Sequence, residues 1–292
     1  TSHDVPLSDV AQGEVFTKHV DQPDSAYAEA AGLNWLGAAS PQVVKVVAVS
    51  DHTISTTKIT PKRPTRAAAE AAGVELARIH MAGAPAFGSP PLGWPGPNFI
   101  GTQIQACEPD PDWARFYTTQ RVLPFYRKAM DAGNIHDPER IVERACELIT
   151  AATWESAHVA PGVAGRIHGD LWSGNLLYGR PVSKNVLTET VLDDASTDNG
   201  GAANGGVEPF FIDPAAHGGH PETDLAMLAL FGTPFIEDVF EGYQSVRPLA
   251  DDWQDFIPVH QLHPLAVHAF THGPSYGHEL LRCATDVVQL LG

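Results

Sequence analysis

Basic residues are scarce in this chain: 18 lysines and arginines stand against 35 acidic residues, for a formal charge of −17. Nucleic acid and anionic membrane surfaces are held by basic patches, so neither is expected as a partner. A nucleotide is not excluded, because a bound metal and one or two lysines supply positive charge locally. Cysteine is nearly absent. Cys107, Cys146 and Cys283 are odd in number, far apart and without CxxC spacing. That argues against a disulfide framework or a zinc site and for reduced thiols in a cytoplasmic protein. No apolar run approaches the length of a membrane span, since Lys45 interrupts the most β-rich stretch, VVKVVAV. The polar opening TSHDVPLSDV shows no basic start followed by an apolar run, so no secretory signal is expected.

What is present is enough apolar material, 43% of 292 residues, for a two-lobed protein. Residues 1–60 read as short strands (Glu14 to Val20, Val43 to Val49, His52 to Ile59) around a single helix from Ala26 to Trp35. From residue 61 to 292 the pattern is mainly helical, opening with an alanine-rich helix from Thr65 to Met81. Asp110-Pro111 and Asp137-Pro138 each read as an N-cap followed by proline at the first helical position. The run DDASTDNGGAANGG, residues 193–206, has no apolar side chain larger than alanine and is expected to be an exposed, mobile loop at a hairpin tip. A tolerated insertion is the preferred reading there over a lid.

The most informative stretch is His168-Gly169-Asp170-Leu171-Trp172-Ser173-Gly174-Asn175. An aspartate in a glycine-containing loop is usually only a turn former. Here it precedes a short strand, Leu176 to Tyr178, and then a second, Pro209 to Ile212, that ends in Asp213. Asp170 and Asn175 have the separation found in the catalytic loop of protein kinases, HRDxxxxN. In that chemistry a carboxylate accepts the proton of the attacking hydroxyl, and oxygen ligands hold magnesium against the phosphates. Lys18 in VFTK and Glu29, eleven residues on in the helix, have the arrangement of a phosphate-contacting lysine and its ion-pair partner. A lysine on a strand is more often a solvated edge residue, and only the downstream motif raises this pair above that. Asp224, at the start of a helix carrying Leu225, Leu228 and Ala229, could be simple helix N-terminal charge.

Over nearly its full length the chain resembles the fructosamine (ketosamine) kinases, within the aminoglycoside-phosphotransferase and protein-kinase-like superfamily. The matching stretches include VFTKHV, YAEAAGLNWLG, PNFIGT, RIHGDLWSGNLLY and FFIDPAAHGGHPETDLAMLALFG. The resemblance implies an α+β, bilobal fold with a small β-rich N-lobe holding one main helix and a larger, mainly helical C-lobe. It also implies ATP and Mg2+ as cofactors and phosphotransfer to an alcohol group of a small-molecule or protein-linked ketosamine. By the same resemblance Asp170 is the catalytic base, Asn175 and Asp213 bind the metal, and Lys18 with Glu29 positions ATP. Trp172 stacks on the sugar-amine or else is a core tryptophan. His168 and Asp224 hold the loop without touching the reacting atoms. A kinase of the same fold acting on an aminoglycoside, choline or methylthioribose is the alternative, as is a non-catalytic nucleotide-binding protein.

The chain departs from the family pattern in three places. Gly13 is the only glycine before Lys18, so the glycine-rich phosphate loop is expected to be missing or truncated. The 193–206 segment is a second departure, and the third is the polar stretch Ile54 to Ile59 where an adenine-binding hinge is expected. Fourteen histidines invite a metal reading, especially His217 with His220 and His260 with His263. Neither pair has a third partner nearby in sequence, so both are read as structural or solvated. His268, His272 and His278 are expected along the substrate side of the large lobe.

Overall fold

The structure is a computed structural model, described for residues 14–152, 163–182 and 206–292. Gly13 and the 193–206 segment up to residue 205 lie outside the described residues. The chain opens on strand β1 (Val15–His19) and helix α1 (Pro23–Gly37), followed by β2 (Val46–Ser50) and β3 (Thr53–Thr57). These strands form an antiparallel sheet in the order β1-β3-β2, with Lys18 opposite Ile54. Ile54, Ser55 and Thr56 of the polar stretch are buried in the central strand. Thr17 and Ser55 share a hydroxyl hydrogen bond of 2.8 Å, so the polarity is satisfied inside the sheet.

Beyond Lys58 the chain changes sheet. Strand β4 (Ile59–Pro61) pairs with β8 (Leu176–Pro181), which pairs in turn with β9 (Glu208–Phe211). Between them, α2 (Arg66–Met81) starts on Thr65, whose hydroxyl accepts the Ala68 N–H at 3.1 Å. A short hairpin, β5 (Asn98–Ile100) and β6 (Gln103–Gln105), follows the Pro/Gly-rich loop. Then come α3 (Trp113–Phe116), a π-helical stretch (Tyr117–Val122), α4 (Leu123–Asp131) and α5 (Ile141–Ala151). Strand β7 (Gly165–Ile167) pairs with β10 (His217–Gly219). Helices α6 (Glu222–Phe231), α7 (Ile236–Val246), α8 (Ile257–His272) and α9 (Pro274–Leu291) complete the chain.

Two of the predicted caps shift. Asp112, not Asp110, caps α3 through the Arg115 N–H at 2.9 Å, while Asp110 accepts the Asp112 N–H and pairs with Arg115. Asp137 does receive the first N–H groups of α5, from Ile141 and Val142, but across a turn that places Arg140 in the left-handed region. In both cases the proline occupies the turn before the helix, and the carboxylate reaches over it.

One core joins α1, α2, the β4-β8-β9 sheet, α6 and α7, and a second joins α3, α4, α5, α8 and α9. Helices α2 and α7 touch through glycine. A Cβ on Gly73 would lie 1.9 Å from the Val239 carbonyl, and one on Gly242 would lie 2.0 Å from that of Glu70. The two backbones therefore approach closely, and this contact fixes where α7 stands behind the loop that carries Asp170.

Candidate active site

The strand register assembles the site. Leu176 pairs with Phe211, so the residues just outside the pair, Asn175 and Ile212, face each other, and the Ile212 N–H donates to the Asn175 carbonyl at 3.1 Å. The end of β9 therefore delivers Asp213 to the 168–175 loop. Asp213 itself has a φ of 52°, a left-handed conformation that turns the chain sharply into Pro214. On the other side, His217 pairs with Ile167, which sets residues 214–216 against the start of the loop. Gly169 has a φ of 81°, and a Cβ there would lie 2.4 Å from the Ala215 carbonyl. The middle residue of HGD is glycine for both reasons.

The loop is held from behind by a carboxylate. Asp224, buried at the start of α6, accepts the backbone N–H of His168 at 2.7 Å and of Gly169 at 2.9 Å. His80 of α2 meets Oδ2, the oxygen that also takes the His168 N–H, at 3.0 Å, and the Tyr243 hydroxyl meets the far ring nitrogen of His80 at 2.9 Å. Burial alone would raise the Asp224 pKa, but the bonds from His80 and the loop bring it below the ordinary carboxylate value. Burial lowers the His80 pKa, so the imidazole is the neutral donor to a charged Asp224. The sequence offered no signal for His80 because its partner lies 144 residues away. His168 Nδ1 takes the Asp170 N–H at 3.3 Å, which puts its proton on Nε2, donated to the Ile212 carbonyl at 2.9 Å.

In front of this support lies a cleft of about 420 Å³, lined by Lys18, Glu29, Asp170, Trp172, Asn175 and Asp213 among others. Lys18 Nζ donates to Glu29 Oε2 at 2.8 Å and lies 3.2 Å from Asp213 Oδ1. Burial would lower the lysine pKa, but the two carboxylates raise it overall, so Lys18 stays charged. Burial pushes the Glu29 carboxyl upward against the pull of that lysine. Gly32 lets α1 rest on Pro214 and Ala216, keeping Glu29 in register with Asp213. Asn175 Nδ2 donates to the Asp170 carbonyl at 2.8 Å and to its Oδ2 at 3.2 Å. Burial pushes the Asp170 carboxyl up to about 7, partly offset by the Asn175 bond and reinforced by the charges of Asp213 and Asp224.

Trp172 is 43% exposed at the cleft, which excludes the core-tryptophan reading. Its ring lies over Gly174, where a Cβ would come within 2.3 Å of it. The cleft also takes in Asp21, Gln22, Asn98 and Thr102, which were not singled out from sequence although PNFIGT was noted. Gln22 bridges to the Thr102 carbonyl at 3.1 Å, joining the start of α1 to the β5-β6 hairpin. His268 and His272 lie instead on α8, stacked on each other at 4.8 Å, and none of His268, His272 and His278 lines the cleft. Their positions follow from the packing of α8 against α9, so the expected substrate-side location is corrected.

A family profile described as fructosamine kinase matches residues 8–289. The chain belongs to the fructosamine kinase family. A probable ketoamine kinase of Enterococcus faecium is 28% identical over 185 residues, covering 63% of this chain and 56% of that protein. One from Lactiplantibacillus plantarum is 31% identical over 166 residues, covering 57% of this chain and 49% of that protein. The chain thus spans about half the length of the curated relatives it matches. The crystal structure of a candidate fructosamine-3-kinase from Thermobifida fusca is 37% identical, with a TM-score of 0.76, covering 94% of this chain and 85% of that one. The gentamicin–APH(2″)-IIa complex, at 13% identity, has a TM-score of 0.51 over 95% of this chain and 86% of that one. That likeness bears on fold alone: this fructosamine kinase family member has the α+β, bilobal protein-kinase-like fold. Among the described residues no helix is long and apolar enough to cross a membrane.

Proposed function

We propose that the chain is an ATP- and magnesium-dependent kinase that phosphorylates a sugar hydroxyl of a ketosamine, free or protein-linked, as a deglycation step in the cytoplasm. The observation that carries this reading is the convergence of Asp170, Asn175, Asp213 and the Lys18–Glu29 pair on one cleft. Asp170 orients the acceptor hydroxyl and takes its proton as the oxygen attacks the γ-phosphorus and ADP departs. Lys18, kept charged, contacts the phosphates, and Glu29 fixes its reach.

The residues present fit magnesium. Asp213 offers carboxylate oxygens, and Asn175, whose Nδ2 is committed to Asp170, leaves its carboxamide oxygen as a donor. Few protein oxygens and little charge suit an ion that keeps waters and phosphate oxygens in its remaining positions. When bound, magnesium would screen the charge of the transferring phosphate. Asn175→Ala is expected to raise the magnesium concentration needed for half-maximal rate. An unchanged magnesium titration would remove Asn175 from the metal site.

Trp172 gives the substrate amine a ring face in an acidic protein. Trp172→Ala should raise KM for a ketosamine by roughly 3- to 30-fold with kcat largely kept, the size expected for a cation over an aromatic face. A variant with unchanged KM would take the tryptophan out of the substrate site. The reading as a whole is tested by ADP release with Mg-ATP on a small fructosamine, a ribulosamine, choline and kanamycin. Turnover on a ketosamine alone is the expected result. Turnover confined to choline or kanamycin would replace the substrate class and keep the fold.

A further inference from the structure

One histidine from each of the two pairs read in the sequence, His220 and His260, meets the other and a third side chain in the fold. His220, just before α6, and His260, on α8, stand with their rings 4.5 Å apart between centroids. Glu222 is the first residue of α6. Among the described residues these three side chains bring one potential ligand atom each to within 4.8 Å of one another. His260 Nε2 lies 3.7 Å from Glu222 Oε2, in contact range but too long for a hydrogen bond. Glu222 is the residue that demands explanation. It is 2% exposed, and neither of its carboxylate oxygens has a hydrogen-bond partner. The Arg247 guanidinium exerts a favourable pull on this carboxylate and Asp252 an unfavourable one, but Arg247 donates to the Tyr243 hydroxyl and leaves both Glu222 oxygens without a hydrogen bond, a deficit that costs several kcal/mol by the usual order of magnitude for an ionised group.

We propose that His220, Glu222 and His260 form a binding site for one divalent transition-metal ion of the zinc class, distinct from the magnesium position at Asp213. Two imidazoles and a carboxylate are the donor set of zinc sites, and a buried cluster excludes the strongly hydrated magnesium ion. The surroundings suit that use. Thr223 Oγ1 lies 3.1 Å from His260 Nδ1, which turns Nε2 of the same ring toward Glu222. Trp113, itself buried, packs at 5.2 Å from both imidazole rings. The Glu222 N–H donates to His220 Nδ1 at 3.1 Å, so a cation taking His220 displaces either that bond or the proton on Nε2. Binding therefore releases protons and weakens as pH falls.

The location gives the ion a consequence. It cross-links the first turn of α6 to α8, and Asp224, two residues on, holds the His168 and Gly169 N–H groups. Metal at this cluster stiffens the helix start on which the 168–175 loop rests. The role is structural, and it does not depend on which hydroxyl the cleft phosphorylates.

The test uses the full chain, stripped with a chelator and titrated with zinc and, separately, with cobalt(II). One zinc per chain is expected, with a thermal midpoint that rises as zinc is added. Cobalt(II) is expected to show the intense visible absorption of a four- or five-coordinate site, a readout that needs no variant. Glu222→Gln, which keeps the side-chain shape, should weaken zinc by more than ~10-fold, whereas Asp213→Asn should leave it unchanged. A wild-type chain that retains no zinc and gives only the weak spectrum of hydrated cobalt overturns the proposal, and assigns the cluster a neutral carboxylic acid. Zinc binding lost in Asp213→Asn but kept in Glu222→Gln overturns it as well, by moving the ion to the cleft.

Discussion

Asp170→Ala should lower kcat by about 10²- to 10⁴-fold, the usual contribution of a positioned general base, while the KM for ATP changes little. The direction follows from what Asp170 touches. Its carboxylate receives the Asn175 amide at 3.2 Å and otherwise opens to the cleft, so its removal leaves the Lys18–Glu29 pair and Asp213 in place. A rate within a few-fold of wild type would remove Asp170 from the chemistry. Its titration supplies an independent check. Burial holds the carboxyl at about 7 in the ligand-free chain, so it is substantially protonated below that pH and ionised above it. A divalent cation bound by Asn175 and Asp213 favours the charged form and must pull this value down. Carboxyl NMR of the chain with and without magnesium reads that shift, and a value near the ordinary 3.8 in the free chain contradicts the burial argument.

The 168–175 loop and Asp213 were legible in the sequence because their spacing is local and because β8 and β9 announce themselves by composition. Lys18 and Glu29 were legible only once that loop was recognised, since a strand lysine and a helix glutamate are individually common. Trp172 was ambiguous because aromatic composition does not say which way a ring faces; its place over Gly174 does. The parts that were not legible share one property: they are closed by contacts distant in sequence. His80 reaches Asp224, Arg121 approaches His217 from 96 residues away, and Glu222 meets His260 across two helices. Periodicity and capping rules are blind to such pairs, because they describe neighbours along one element. The shift of the α3 cap from Asp110 to Asp112 is the opposite case, a local competition between two aspartates flanking Pro111.

Asp224→Ala should be the most destabilising substitution around the site, by about 3–5 kcal/mol. The carboxylate has three donors, the N–H groups of His168 and Gly169 and the ring of His80, and all of them are buried. Its loss strands two backbone N–H groups where water does not reach, and leaves His80 held only by the Tyr243 hydroxyl, itself met by Arg247 at 3.3 Å. A loss of this size lowers the melting midpoint by roughly 5–8 °C in a chain of this length. Because the folded pKa of Asp224 is depressed, its contribution is present above the ordinary carboxylate range and fades as pH falls through the lowered value. The gap in stability between wild type and variant should therefore narrow in acid, and a gap that widens there would reverse the assignment. Asp224→Asn retains one acceptor oxygen but not the charge, so its midpoint should fall between the two. If Asp224→Ala melted like wild type yet lost activity, Asp224 would belong with the reacting groups and not behind the loop. The expected pattern is the reverse: activity falls with the folded fraction, and the part that remains folded at low temperature keeps a KM for ATP near that of wild type.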